Sequence, residues 1–257
     1  MQKAYEAQYH RLEESHWWFQ GRRRIVRALV LRANPDRDCR ILEIGCSGGP
    51  TIQQLLADGY RHITGIDISA EGIELCHRQG LADTHVMDAQ KIAFGDGEFD
   101  VITASDVLEH LADAPGALRE WRRLLKPGGV LIVFVPAFQF LWTEHDELNR
   151  HFQRFTRPRL CRLLVEAGFA VERSSYWDCA IFIPVVLVRT FRRVFRIKLG
   201  SSAGDMFMPP PLVNRALLDL LRCENWLMKR GVNFPFGVSV MAVARKPGQA
   251  RPVKSSR

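Results

Sequence analysis

The chain has 257 residues, 47% hydrophobic and 25% charged, with a formal charge of +8; this globular composition can bury a core without metal or disulfide staples. Its six cysteines, at 39, 46, 76, 161, 179 and 223, include no CxxC pair, which argues against zinc or disulfide frameworks and for a reducing compartment. The opening Met1-Gln2-Lys3-Ala4-Tyr5-Glu6 lacks an apolar h-region, so no secretion signal is expected and a cytoplasmic location is.

Residues 1–35 read as helical, with His16-Trp17-Trp18-Phe19, a basic cluster at Arg22, Arg23 and Arg24, and an apolar run ending at Val30. Pro35-Asp36 breaks that pattern. Short apolar runs at 40–44, 62–66, 85–87, 99–104 and 130–135 suit buried parallel strands. Helical stretches lie between them at 51–57, 70–79, 108–110 and 117–125, and Lys126-Pro127-Gly128-Gly129 reads as a turn. Strands alternating with helices predict a Rossmann-like, doubly wound α/β sheet. Residues 137–157 read as a loop, 158–167 as a helix opened by Pro158, and 170–176 as a strand. A helical insertion holding the apolar run 180–188 and a helix near 214–229 then precedes a last strand near 238–244.

The first strand runs into Gly45-Cys46-Ser47-Gly48-Gly49, and Pro50 opens a helix. A glycine turn there leaves backbone N–H groups where a ligand must approach closely. A P-loop would need GxxxxGK[ST], which is absent. A dinucleotide fingerprint would need glycines at 45, 47 and 50, where Gly45, Ser47 and Pro50 stand. The turn also fits GxSxG, the nucleophile elbow of serine hydrolases, but such an elbow follows several strands rather than a helical segment. S-adenosylmethionine (SAM) fits more of the pattern. Asp67 ends the second strand, placed to accept ribose hydroxyls; Asp88 follows the third, placed to accept from an adenine amino group; and Ser105-Asp106 ends the fourth.

These stretches resemble class I SAM-dependent methyltransferases of the type 11/12 family. The resemblance rests on Leu42-Glu43-Ile44-Gly45-Cys46-Ser47-Gly48-Gly49, Gly65-Ile66-Asp67-Ile68-Ser69, Asp106-Val107-Leu108-Glu109-His110 and Leu125-Lys126-Pro127-Gly128-Gly129. It implies one methyltransferase domain over 1–257: a helical cap at 1–37, a SAM-binding core at 38–136, and an acceptor-side loop, last strands and insertion at 137–257. It implies a mostly parallel sheet with an antiparallel last strand. It implies, further, that Glu43, Gly45, Ser47, Gly49, Asp67, Ile68, Asp88, Ala89 and Ser105 serve the cofactor, with Ser47 where the family has glycine. Glu14-Ser15-His16-Trp17-Trp18-Phe19 and Pro235-Phe236-Gly237 resemble signatures of a bacterial subset. Trp17, Trp18 and Phe19 are placed either to close over the cationic sulfonium, with Trp18 the one assigned to the cofactor, or to staple the N-terminal helix to the core.

His110, His145 and His151 are candidate bases for an acceptor that must lose a proton, and Asp146 is placed either to orient its neighbour His145 or merely to cap a turn. Asp106-xx-Glu109-His110 resembles a cluster of quinone-biosynthesis O-methyltransferases for which a divalent metal has been considered. Adjacent residues on a helix point apart, however, so no metal is expected.

The expected acceptor is a small molecule or a lipid- or saccharide-linked group, methylated at oxygen. Nucleic acid is not expected, because no Asn-Pro-Pro-Tyr-type tetrapeptide follows the fourth strand. Arg189, Arg192, Arg193, Arg196 and Lys198 lie in a segment without acid from Cys179 to Gly204. Together with the apolar run they suit an interfacial helix, so residues 180–198 are expected to touch the inner membrane face. The alternatives are a SAM-binding module without catalysis and a serine hydrolase.

Overall fold

The computed structural model describes residues 12–195 and 208–248. The start at 1–6, the basic residues Arg196 and Lys198, and the tail after Gly248 lie outside the described residues.

Helix α1 (Trp17–Ala33) precedes an alternation of strands and helices: β1 (Arg40–Ile44), α2 (Pro50–Ala57), β2 (His62–Asp67), α3 (Ala70–Arg78), β3 (Thr84–Val86) and β4 (Phe99–Ser105). A 3-10 turn (Leu108–His110), α4 (Ala114–Leu124) and β5 (Leu125–Pro136) follow. The sheet order is β3-β2-β1-β4-β5-β7-β6. Strands β1 to β5 pair in parallel, and β7 (Ser239–Arg245) runs antiparallel between β5 and β6 (Ala170–Trp177). The order reverses direction at β1 and β4, and open α/β sheets bind ligands beyond the C-terminal ends of such strands.

The near-continuous apolar runs have their explanation in burial on both faces. Leu42, Ile44, Ile102, Leu131 and Val133 share a core with Trp121 of α4 and with Leu160 and Leu164 of α6 (Arg157–Glu166). Ile41, Val101, Val130 and Ile132 face the other way, against Ile25 and Leu29 of α1 and Leu55 of α2.

Three expectations are corrected. Residues 126–129 lie inside β5 and are not a turn before it: Gly128 N donates to Lys246 O and Lys246 N to Gly129 O, both at 2.9 Å, so the segment leaving β7 satisfies this glycine pair. Helix α4 begins earlier than 117, because Asp113 caps it by accepting from Gly116 N at 2.8 Å. The loop at 137–157 carries a 3-10 turn (Gln139–Leu141) and α5 (Glu144–Leu148). Helix α5 starts in a capping box between Thr143 and Asp146.

The insertion lies between β6 and β7, as expected. It comprises α7 (Phe182–Val194) and α8 (Pro211–Lys229), and α8 packs on α1, where Asn214 Oδ1 accepts from Trp17 N at 2.9 Å. Among the described residues no helix is long and apolar enough to cross a membrane.

Candidate cofactor and acceptor site

The turn after β1 is held by β2. Gly45 N and Cys46 N both donate to Ile66 O, at 2.8 and 3.1 Å. Gly45 has φ +74°, and a Cβ there would lie 2.4 Å from Val107 Cγ2, so the position admits only glycine without strain. Ser47 also adopts a left-handed conformation, φ +50°. Its N donates to Asp67 Oδ2 at 2.8 Å and its hydroxyl to Glu13 Oε2 at 2.7 Å. The proton of this serine therefore goes to a carboxylate, which argues against a hydrolase elbow. Gly49 caps α2 at φ +82°, where a Cβ would meet Leu81 Cδ1 at 2.3 Å.

Beyond these strand ends lies a cavity of about 810 Å³. It brings together Trp18, Glu43, Gly45, Ser47, Asp67, Ile68, Asp88, Ala89 and Ser105 with all three candidate bases, His110, His145 and His151. Gly49 does not line it and shapes the turn from behind. Asp67 Oδ1 accepts from Ser69 N at 2.8 Å, so both carboxylate oxygens are fixed at the cavity wall. Asp88 is steadied by Gln90 N, at 2.8 Å.

Glu43 is the electrostatic anomaly of this end. It is 8% exposed, and its Oε2 has no hydrogen-bond partner. Burial pushes its carboxyl up to about 8, opposed by a hydrogen bond with Thr51 and reinforced by Glu13. Arg23, also buried and lining the cavity, faces Glu13 and Glu43. A buried carboxyl with one unpartnered oxygen and an arginine lining the same cavity fit a ligand carrying both an ammonium and a carboxylate, which is the methionine end of SAM.

Sequence reasoning missed Arg23, Glu13 and Arg22. The guanidinium of Arg22 lies 4.7, 4.3 and 4.4 Å from the ring centroids of Trp18, Phe134 and Trp177. It donates to Ser239 Oγ at 2.8 Å and stands 3.2 Å from Asp106 Oδ2. The spacing Trp18–Arg22 is one helical turn, so the pair was visible in the sequence as a same-face contact. Trp18 lines the cavity, but its ring is stacked on the protein's own cation.

The other end of the cavity is built by α5 and the segment after it. Asp146 is fully buried and takes Arg154 with two oxygens, Oδ1 from Nε at 2.8 Å and Oδ2 from Nη2 at 2.9 Å. Its Oδ1 also meets His151 Nδ1 at 2.8 Å. Burial alone would raise the Asp146 carboxyl, but the hydrogen bonds from His151 and Arg154 hold it well below the usual range. Of the two readings of Asp146, the turn cap holds, in its capping box with Thr143, and the orienting of His145 is corrected: a helix turn sends neighbouring side chains apart, and Asp146 reaches His151 instead. His145 pairs with the Asn149 amide, at 3.2 Å.

Glu109 and His110 are likewise corrected. They lie on a 3-10 turn and both line the cavity, so they do not point apart. Phe152 N donates to Glu109 O at 2.8 Å, which draws His151 against them. The rings of His110 and His151 meet edge to face with centroids 4.5 Å apart. Burial and His151 push His110 down to about 4, keeping it neutral. Glu109 is 1% exposed with Oε2 unpartnered, and burial and Asp106 push its carboxyl well above the carboxylate range.

A methyltransferase domain model matches residues 18–174, more than half of the chain. The chain belongs to the methyltransferase domain family. It is 29% identical over 160 residues to O-methyltransferase cnsE of Penicillium expansum, covering 58% of each chain. It is 28% identical over 161 residues to the ubiquinone biosynthesis O-methyltransferase of Aeromonas salmonicida, covering 53% of this chain and 65% of that one. The match thus spans less than two thirds of these relatives. In fold it is similar to the [4+2]-cyclase SpnF, with TM-score 0.59, 24% identity and coverage of 90% and 84%. It is also similar to Haemonchus contortus phosphoethanolamine N-methyltransferase 2 solved with SAM, with TM-score 0.56, 19% identity and coverage of 86% and 51%. A cyclase and a methyltransferase on one fold mean that the site, not the fold, must carry the functional argument.

Proposed function

We propose that this chain is a SAM-dependent methyltransferase acting on oxygen, with residues 38–136 as the cofactor core and 1–37 and 137–257 forming the acceptor side. The observation that carries the reading is the single cavity in which Glu43, Asp67 and Asp88 share one wall with a separate imidazole and carboxyl cluster. Bound SAM supplies a methyl group on a positively charged sulfur. Around it, Asp67 is assigned to the ribose, Asp88 and Ala89 to the adenine, Glu43 and Glu13 to the ammonium, and Arg23 to the carboxylate. Gly45 and Ser47 shape the turn that lets the backbone come close, with Ile68 and Ser105 completing the walls.

The acceptor hydroxyl is assigned to the Glu109–His110–His151 end. His151 has Nδ1 held by Asp146, which leaves its Nε2 for the acceptor hydroxyl. Desolvation and alignment are the main contributions asked of the protein for a displacement of this kind. Calorimetry with SAM and S-adenosylhomocysteine tests the cofactor half, and absence of binding to either would sink it. Labelled SAM incubated with fractionated extract tests transfer. Binding without any labelled product would favour a SAM-binding module.

The acceptor we favour is lipid-linked, held at a membrane surface touched by α7. Support comes from the helix itself, which has no buried residue. Ile183, Leu187, Phe191 and Val194 form a stripe between 55% and 68% exposed, a larger apolar surface than a soluble helix normally shows. Pro184, Val185 and Val188 line the cavity from the same helix. Arg189 and Arg193 donate to the carbonyls of Leu141 and Phe140, which docks the helix over the acceptor end. Flotation with neutral and anionic liposomes tests this, and no binding to either would remove the membrane from the reading.

A further inference from the structure

We propose that Glu109, His110 and His151 form a binding site for one divalent transition-metal ion, with zinc the best match, at the acceptor end of the cavity. One ligand atom from each residue lies within 4.8 Å of the other two. Tetrahedral zinc with bonds of about 2.1 Å sets its ligands about 3.4 Å apart, so side-chain rotations of about 1 Å close the site. Two imidazoles and one carboxylate with a fourth position open is the ligand set of hydrolytic zinc centres.

The surroundings are those of a metal site and not of a chance cluster. Metal-bound histidines nearly always donate their other ring nitrogen to a carboxylate or a carbonyl. His151 does so to Asp146, which is itself locked by Arg154. His110 is hydrogen-bonded to the Asn149 backbone. The carboxyl of Glu109 offers an unpartnered Oε2, buried and on the cavity wall. A buried oxygen without a partner is destabilising, and a cation would remove that cost.

The ligand set is not the one that the Asp106-xx-Glu109-His110 spacing suggests. Asp106 is committed to Arg22, and a histidine brought in by the fold after α5 takes its place. Binding of the ion is independent of the methyltransferase reading; only its consequence rests on that reading. Held there by Glu109, His110 and His151, the ion would supply Lewis-acid chemistry, lowering the pKa of an acceptor hydroxyl placed at the open position. His151 then serves as a ligand rather than as the proton acceptor.

The test uses the tag-free chain of 257 residues after dialysis against chelator, titrated with Co2+ and followed by visible absorption, with Zn2+ competition. One equivalent of Co2+ is expected, displaced by Zn2+, with a d–d spectrum of low-coordinate nitrogen and oxygen ligation. Glu109→Gln and His151→Asn should each weaken binding at least tenfold, whereas Glu147→Gln on the exposed side of α5 should not. Thermal melting of each variant without metal shows that it is folded. If one is not, the other together with the wild-type spectrum still decides. No saturable binding up to 100-fold excess Co2+, or binding unchanged in both variants, overturns the proposal. So does a thiolate-to-cobalt charge-transfer band, which would place the ion at the buried Cys46 and Cys76. SAM calorimetry on the same samples separates failure here from failure of the cofactor assignment.

Discussion

Replacing Glu43 by glutamine keeps the side chain's shape and removes its charge. The carboxyl is pushed from its ordinary 4.5 to about 8 by burial, with Glu13 adding to the effect. Because the folded value is the higher one, the folded state binds the proton more tightly. Stability is then full below pH 4.5 and lost as pH rises through 8. Integrating one titration between those values, the wild type should lose about 3 kcal/mol relative to the glutamine variant from pH 5 to pH 8. For a chain of this size that corresponds to roughly 10 °C in relative Tm. Ligand binding carries the same signature with opposite consequences. A bound ammonium ionises Glu43, so at pH 7 SAM binding should release about 0.9 proton, seen by calorimetry in buffers of different ionisation heat. The variant should release none and bind SAM about 10–100-fold more weakly, as expected for a lost hydrogen bond to a charged group. Melting curves that stay parallel across pH 5–8, together with buffer-independent binding heats, would refute the reasoning.

Gly45→Ala forces a Cβ into a left-handed position against Val107; a loss of about 1–3 kcal/mol is expected, measured by denaturant unfolding, with weakened SAM binding. Ser47→Gly relieves left-handed strain worth roughly 1 kcal/mol and loses the hydrogen bond to Glu13, so Tm should change little. Ser47→Ala should retain much of the methyl transfer, and complete loss of turnover would point instead to a nucleophilic serine. Asp146→Asn leaves Arg154 buried without its counter-charge and should cost about 3–5 kcal/mol in unfolding experiments. His110, lowered from 6.5 to about 4 mainly by burial, makes the folded state reject a proton. Stability should therefore fall with pH between 6.5 and 4, by about 3 kcal/mol in total. His110→Asn should flatten that limb of the stability curve.

Much of the cavity wall that we assign to the cofactor was legible because it is local. A glycine turn between a strand and a helix, and acids at the ends of the next two strands, are fixed by spacing along the chain. What escaped were contacts between distant segments. Glu13 and Arg23 reach the turn from the N-terminal helical segments, and nothing in their spacing announces it. The pairing of Asp146 with His151 was misread as Asp146 with His145. Adjacency in sequence suggested one partner, but the turn of α5 directs the two neighbours to different faces. The same holds for Glu109 and His110, whose convergence depends on a 3-10 turn where an α-helix would have separated them.

The sequence by itself determined the alternation of short apolar strands with helices, hence a doubly wound sheet, and the glycine turn that marks a ligand edge, because burial on both faces leaves short apolar runs bounded by turn and helix signals. The choice of charged partners belonged to the tertiary structure. Burial decides whether Glu43 and Glu109 are ionised, whether Arg22 spends its charge on three aromatic rings, and which histidine Asp146 holds. These are energies of desolvation and of contact across the fold, and they exist only once the chain has closed around the cavity.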